Sequence, residues 1–300
     1  MERIAQFQVA SFIYGIFADP KINVVLDDGF SDFMLPSITK DTAQREAIRI
    51  ACHEGLSQKQ KPKNLLYSAK NETQVLWEIY ENPDGYRIYW VYHSLTGALQ
   101  QQAFFDTTTK TWHIYAELNE QVLAPLAYPM APLLWYELST TEPILMIHAS
   151  GITYDQKGRA FAGFSGVGKS TLAKLWQNQG ATVINDDRMI LIREKAGVWR
   201  MYNTPMSYRD HTKSACLHSI YLPFHHDENT YTPLKGALAM ASLMAFVIHH
   251  GYDSKHVLHH MQIAELLIKE LPIGKLGVVP TAPIIDFIKG IEGGENERGQ

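Results

Sequence analysis

One octapeptide constrains this chain more than any other feature. Gly163-Phe164-Ser165-Gly166-Val167-Gly168-Lys169-Ser170 fits G-x-x-x-x-G-K-[ST], the phosphate-binding loop known as the Walker A motif. Such a loop works only between a strand and a helix, and the flanks have that character. Arg159-Ala160-Phe161-Ala162 leaves the turn at Asp155-Gln156-Lys157-Gly158 as a short strand, and Leu172, Leu175 and Trp176 recur at helical spacing behind it. The glycines let backbone N–H groups turn inward, and the new helix brings its partial positive charge to the same point. The binding set is therefore Gly163, Ser165, Gly166, Val167, Gly168, Lys169, Ser170 and Thr171. Lys169 is expected to reach the β- and γ-phosphates, and the Ser170 hydroxyl to ligate Mg²⁺.

Length and charge bound the rest. At 300 residues and 46% hydrophobic, the chain can bury two modest cores, and a prior of about 150 residues per domain favours two. A net charge of −4 without a block of like charge argues against a nucleic-acid groove. Two cysteines, Cys52 and Cys216, make no disulfide framework, so a reducing, cytoplasmic setting is expected. The apolar stretch 7–18 is interrupted at Gln8 and followed by Asp19-Pro20, which reads as an N-terminal strand and not a signal peptide. Ala237–Ile248 is too short to span a bilayer and reads as a buried helix, so no membrane partner is expected.

Residues 1–140 read as a β-rich (α+β) domain. Gln74–Tyr80 and Tyr86–Tyr92 flank Asn82-Pro83-Asp84-Gly85, which is hairpin chemistry, and turns at Leu95-Thr96-Gly97 and 106–110 continue a meander to Trp112–Tyr115. An amphipathic helix is expected near 42–53, and a Pro-interrupted apolar helix from Leu123 to Leu138. The aromatic strand faces read as sheet packing, the commoner use of good strand formers.

Pro143–His148 opens a second domain, 141–300, as a buried strand. After the loop helix, Ala181–Ile184 is an apolar strand ending in Asn185-Asp186-Asp187. Ligands of α/β sheets sit at the carboxyl ends of strands, so both carboxylates are expected to face the phosphates. Two adjacent residues of a regular strand point to opposite faces, so at least one of the pair must lie in the turn that ends it. A hairpin of 189–192 with 198–202 follows, Asn203-Thr204-Pro205 turns the chain back over the site, Leu217–Leu222 is a strand, and 234–248 and 257–269 are helices. His256 and His260 have the i, i+4 spacing of a metal pair, yet no Glu falls between them in the H-E-x-x-H manner and no cysteine is near, so helix-end and loop roles are favoured. His225-His226 before Asp227-Glu228 reads as exposed loop.

Ile147-His148-Ala149-Ser150, the G-x-x-G-x-G-K-S-T loop, the early Asp186-Asp187-Arg188 and the turn ending Asn203-Thr204-Pro205 follow one another in an order that resembles the HPr kinase/phosphorylase-like branch of the phosphoenolpyruvate carboxykinase-type P-loop proteins. The likeness covers residues 143–250. It departs at Thr171, where HPr kinase has Glu, and at Asn203, where the family has glycine. The chain looks more like related kinases, some acting on a serine of a lasso-peptide precursor. The resemblance implies an α/β, phosphoenolpyruvate carboxykinase-like P-loop kinase domain preceded by a smaller β-rich domain that recognises the acceptor or covers the site.

The activity so implied is ATP- or GTP-dependent, Mg²⁺-assisted phosphorylation of a hydroxyl, with a serine-bearing peptide or protein as partner and a homo-oligomer as a possible state. Ser170 and Asp187 are the metal-side pair, Asp186 the base, and His148 and Arg209 candidates for contact with phosphate. The exchange of roles between Asp186 and Asp187 stays open. Structural alternatives are a hydrogen-bonded strand-end histidine at His148 and a solvated surface arginine at Arg209. A small-molecule kinase shares the early Asp but normally begins at the loop strand, and a non-catalytic nucleotide sensor needs no Asp pair.

Overall fold

The computed structural model describes residues 1–36, 48–58, 60–118, 122–205, 213–249 and 253–297. The chain is mixed α/β with two large sheets and divides into two compact units, one of residues 1–135 with Pro205, the other beginning at Tyr136. Among the described residues no helix is long and apolar enough to cross a membrane.

The first unit is built on an eight-stranded sheet. Its strands are β1 (Glu2–Val9), β2 (Phe12–Ala18), β4 (Ile48–Glu54), β5 (Asn64–Lys70), β6 (Val75–Glu81), β7 (Arg87–Tyr92), β8 (Leu99–Asp106) and β9 (Thr111–Ala116), in the order β1-β2-β4-β9-β8-β7-β6-β5. A separate parallel pair joins β3 (Asn23–Val24) to β10 (Val122–Leu123). The expected meander is present from β6 to β9, antiparallel throughout. The apolar stretch at 7–18 is not one strand but the hairpin of β1 and β2.

The expected helix at 42–53 is corrected. Residues 48–53 lie in β4, parallel to both β2 and β9, and 42–47 fall outside the described residues. Ile48, Ile50 and Cys52 alternate with Arg49, Ala51 and His53, so a period of two with β-branched residues outweighs the helical reading. The helix expected from Leu123 is confined to α1 (Met130–Ser139), which begins after Pro129. Pro132 is tolerated inside it because N–H groups of a first turn have no intrahelical acceptor.

The second unit starts with the long strand β11 (Ile144–Tyr154), which turns through Asp155 and Gln156, both at positive φ, into β12 (Lys157–Ala162). Then follow α2 (Lys169–Asn178), β13 (Thr182–Asn185), β14 (Arg188–Arg193), β15 (Trp199–Tyr202), β16 (Ser214–His225), β17 (Thr230–Leu234), α3 (Gly236–Met244), α4 (Ser254–Glu270), β18 (Ile273–Val278) and α5 (Pro283–Glu297). The sheet runs β12-β11-β14-β15-β16-β18-β17, and β16 also pairs in parallel with β12, so five strands close on themselves. β12, β16 and β18 are mutually parallel, and the chain leaves β12 directly into the glycine loop.

Alternation along β12 explains the two cores. Phe161 packs with Leu172, Trp176, Tyr221, Ile284 and Ile288, whereas Ala160 and Ala162 pack with Ile147, Met189, Leu243 and Leu267. Helices therefore cover both faces, α2 and α5 one and α3 and α4 the other. Arg159 is buried on the α5 side. Its guanidinium makes a two-point bond to Glu292 (2.8 and 2.6 Å) and lies 4.5 Å from the Trp176 ring centre. The helix expected over 234–248 is shorter, because Leu234 belongs to β17 and the chain after Met244 bonds to β11 through Ile248 N–H to Met146 O (2.8 Å).

Candidate functional site

The loop meets the demands of an anion cradle residue by residue. Gly166 (φ 84°) and Gly168 (φ 94°) take left-handed backbone that other residues resist. At Gly163 a Cβ would stand 2.7 Å from a Val167 methyl, so glycine there is a matter of space. Gly168 caps α2 and has no side chain to do so, so the first N–H groups of the helix have no intrahelical acceptor and no capping side chain among the described residues. Ser165, Gly166, Ser170 and Thr171 are exposed and Val167 is half-buried around that end, which carries the helix's partial positive charge. Leu172, Ala173 and Trp176 anchor α2 from below.

Lys169 is buried, and its ammonium folds under the loop to donate to the carbonyls of Gly163 and Phe164, each at 2.8 Å. Burial pushes its pKa down, while the charges of Asp186 and Asp187 oppose the shift. Lysine and both carboxylates therefore share one electrostatic neighbourhood.

Both carboxylates lie in the turn between β13 and β14. Asn185, buried, ends β13 by accepting the backbone N–H groups of Asp187 (2.7 Å) and Arg188 (3.0 Å) on its side-chain oxygen, an Asx turn. The Asn185 amide donates to Asn203 (2.5 Å), and the Thr204 hydroxyl donates to the Arg188 carbonyl (2.9 Å). Asn203-Thr204 thus braces the turn that presents the acids. Asp187 Oδ1 lies 3.3 Å from His148 Nε2 and its Oδ2 lies 3.5 Å from the Arg188 guanidinium. Burial pushes the Asp187 carboxyl up, but His148, Arg188 and Lys169 outweigh it and hold the pKa below the usual value. Asp186 accepts a hydrogen bond from the buried Ser150 hydroxyl.

Lys169, Asp186, Asp187 and His148 are therefore brought together, with Ser170 and Thr171 at the start of α2. Arg209 lies outside the described residues. Reading from sequence did not assign Ser150, Asn185 or Arg188 to the site. One signal was present, since His148 and Ser150 are two apart on a strand and share a face. His225 is corrected from loop to the last residue of β16, and its Nε2 lies 3.2 Å from the Gly166 carbonyl of the glycine loop. Beside the loop, Phe164 packs edge-on against Phe246 (5.0 Å between ring centres), whose backbone carbonyl accepts the His148 N–H (2.9 Å).

Among the described residues no group of three or more His, Cys, Asp or Glu side chains is placed to hold a metal. His256 pairs with Asp253 (3.3 Å), His259 contacts the Glu142 carbonyl (3.1 Å), and the buried His260 bonds to Ser139 through the carbonyl (2.9 Å) and hydroxyl (3.1 Å).

No protein-family model matches the chain, and no curated protein matches it. Among solved structures, an HPr(Ser) kinase/phosphatase from Coxiella burnetii is similar over 51% of this chain and 98% of its own, with a TM-score of 0.32 and 12% identity.

Proposed function

We propose that the second unit is a P-loop kinase of the phosphoenolpyruvate carboxykinase-like kind, transferring the γ-phosphate of ATP or GTP to a hydroxyl, with a serine of a peptide or protein as acceptor. One observation carries the reading. Lys169 is folded beneath a glycine loop at an uncapped helix start and lies within the field of two adjacent carboxylates. A structural glycine turn needs neither the buried ammonium nor the acids.

The donor set fits a magnesium polyphosphate. The N–H groups of residues 166–171 and Lys169 supply positive charge for the phosphates, and Ser170 and Asp187 supply oxygens of the kind Mg²⁺ takes. Bound there, Mg²⁺ would neutralise phosphate charge. The protein's own part in transfer is positional and electrostatic. The acceptor oxygen forms a bond to the γ-phosphorus as the bond from that phosphorus to the β–γ bridging oxygen breaks. The leaving nucleoside diphosphate keeps the electron pair, and the acceptor's proton passes to an Asp186 oxygen. His148, Arg188 and Lys169 hold the Asp187 carboxyl below its usual pKa, which makes it a poor proton acceptor and supports giving the base role to Asp186.

The same ion pairs favour a second reading in which the roles exchange. Both Asp187 oxygens already face cationic or hydrogen-bonding side chains, whereas the bond to Asp186 comes from a neutral hydroxyl. Labelled ATP presented with a serine-containing peptide library tests the proposal. Label is expected on hydroxyl groups, and Asp186→Asn should slow transfer by about 10²–10⁴. An absence of transferred label would sink the proposal, and transfer untouched by the substitution would remove Asp186 as the base.

A further inference from the structure

Resting on the kinase reading above, we infer that Ser150 is a positioning residue for the base, its buried hydroxyl fixing one oxygen of Asp186 so that the other is left to take the acceptor's proton. Ser150 is fully buried in β11, and its hydroxyl donates to Asp186 Oδ1. A buried hydroxyl is costly unless bonded, so this contact decides where the side chain points.

The register of the sheet explains why the contact forms. β11 pairs with β14 at His148↔Arg188 and with β13 at Gly151↔Asn185, so the turn carrying the two acids crosses β11 between those points. His148 and Ser150 stand two residues apart on one face of that strand and take one carboxylate each, Asp187 and Asp186. The backbone is pinned at the same place by Ala149 N–H to Asp187 O (2.9 Å). One strand therefore sorts two adjacent acids that would otherwise compete for the same donors. The His148 imidazole goes to Asp187, which also meets Arg188 of β14, and the Ser150 hydroxyl goes to Asp186.

The donors differ in a way that matters for a base. The Ser150 hydroxyl engages one Asp186 oxygen, whereas both Asp187 oxygens face side chains, those of His148 and Arg188. General-base efficiency depends on holding the acceptor oxygen within about 0.5 Å of its working position. Loss of the donor frees the Asp186 side chain to rotate, so the penalty should fall on turnover and not on nucleotide binding.

The test uses basal ATP hydrolysis by the full chain, with water as the attacking hydroxyl and inorganic phosphate as the product read. Calorimetric titration with Mg-ATP and thermal unfolding run alongside. Ser150→Ala should lower turnover at least tenfold while leaving Mg-ATP affinity and the magnesium requirement within twofold of wild type. Ser150→Cys separates positioning from packing. Cysteine matches serine in shape and is more apolar but a weak donor, so a packing role predicts a fully active variant and positioning predicts an impaired one. Ser150→Ala within twofold of wild-type turnover, or Ser150→Cys fully active, overturns the inference and leaves the kinase reading standing. A loss of affinity matching the loss of turnover also overturns it. A wild-type chain that binds Mg-ATP yet releases no phosphate overturns the inference, and one that binds no Mg-ATP overturns both.

Discussion

Acid should destabilise the second unit through His260. This side chain is fully buried between α4 and the end of α1, where it bonds to the Ser139 carbonyl and hydroxyl. Burial pushes its pKa down to about 4 from an ordinary 6.5, the Ser139 carbonyl bond works against the shift, and the charges of His259, His249 and His256 add to it. The folded state thus resists a proton that the unfolded chain accepts. Stability from this group is fully present above about pH 6.5 and is lost as pH falls from there towards 4. At pH 5 the unfolded imidazole is nearly all charged and the folded one nearly all neutral, which corresponds to about 2 kcal/mol of destabilisation relative to neutral pH. For a unit of this size that lowers the melting temperature by about 4–8 °C. Thermal unfolding at pH 7 and pH 5 of wild type and of His260→Gln, which keeps a donor for Ser139 but does not titrate, isolates the effect from that of other groups. The wild type should lose about 4–8 °C more than the variant between the two pH values. Equal losses would rule out this role of His260, and a larger loss in the variant would reverse its sign.

Asp187→Asn removes the carboxylate held between His148 and Arg188, so it should raise the magnesium concentration needed for activity, whereas Asp186→Asn should leave that requirement near wild type. Metal titrations showing the opposite pattern would exchange the two roles. Glu292→Gln removes the anionic partner of the buried Arg159 and leaves a single amide oxygen to accept from both the guanidinium and the Tyr221 hydroxyl (3.0 Å), so a charge stays uncompensated on the strand that feeds the glycine loop. A loss of about 3–5 kcal/mol in denaturant unfolding is expected, and a loss under about 1 kcal/mol would contradict it.

What was legible in the sequence was local. The glycine loop is written in consecutive residues whose backbone demands only glycine satisfies, and the hairpin at Asn82–Gly85 is equally local, closed by Gly85 N–H to Asn82 O at 3.0 Å. The early acid pair could be placed near the loop because one helix and one strand leave little room elsewhere. What was not legible depends on register. Ser150 meets Asp186, and His148 meets Asp187, only because β13 and β14 lie against β11 with a register shift between Gly151 and Ile152. No periodicity within either segment encodes that offset. β4 escaped for another reason, since its alternation is short and follows a polar stretch compatible with a helix. The end of α3 was misplaced because the Phe246 carbonyl and the Ile248 N–H bond to β11, a tertiary preference that an apolar run does not reveal.

Residues 163–170 are proposed to bind the phosphates of a nucleotide through Lys169. Calorimetric titration of Mg-ATP into wild type and Lys169→Ala measures it directly, with unfolding curves of both proteins confirming that the variant is folded. Lys169 occupies the heart of the loop, donating to its carbonyls under the field of Asp186 and Asp187, so no solvent molecule can replace its charge. Saturable binding by wild type and none measurable by the variant is expected. Equal affinity in the two proteins, or no binding by wild type, would contradict it.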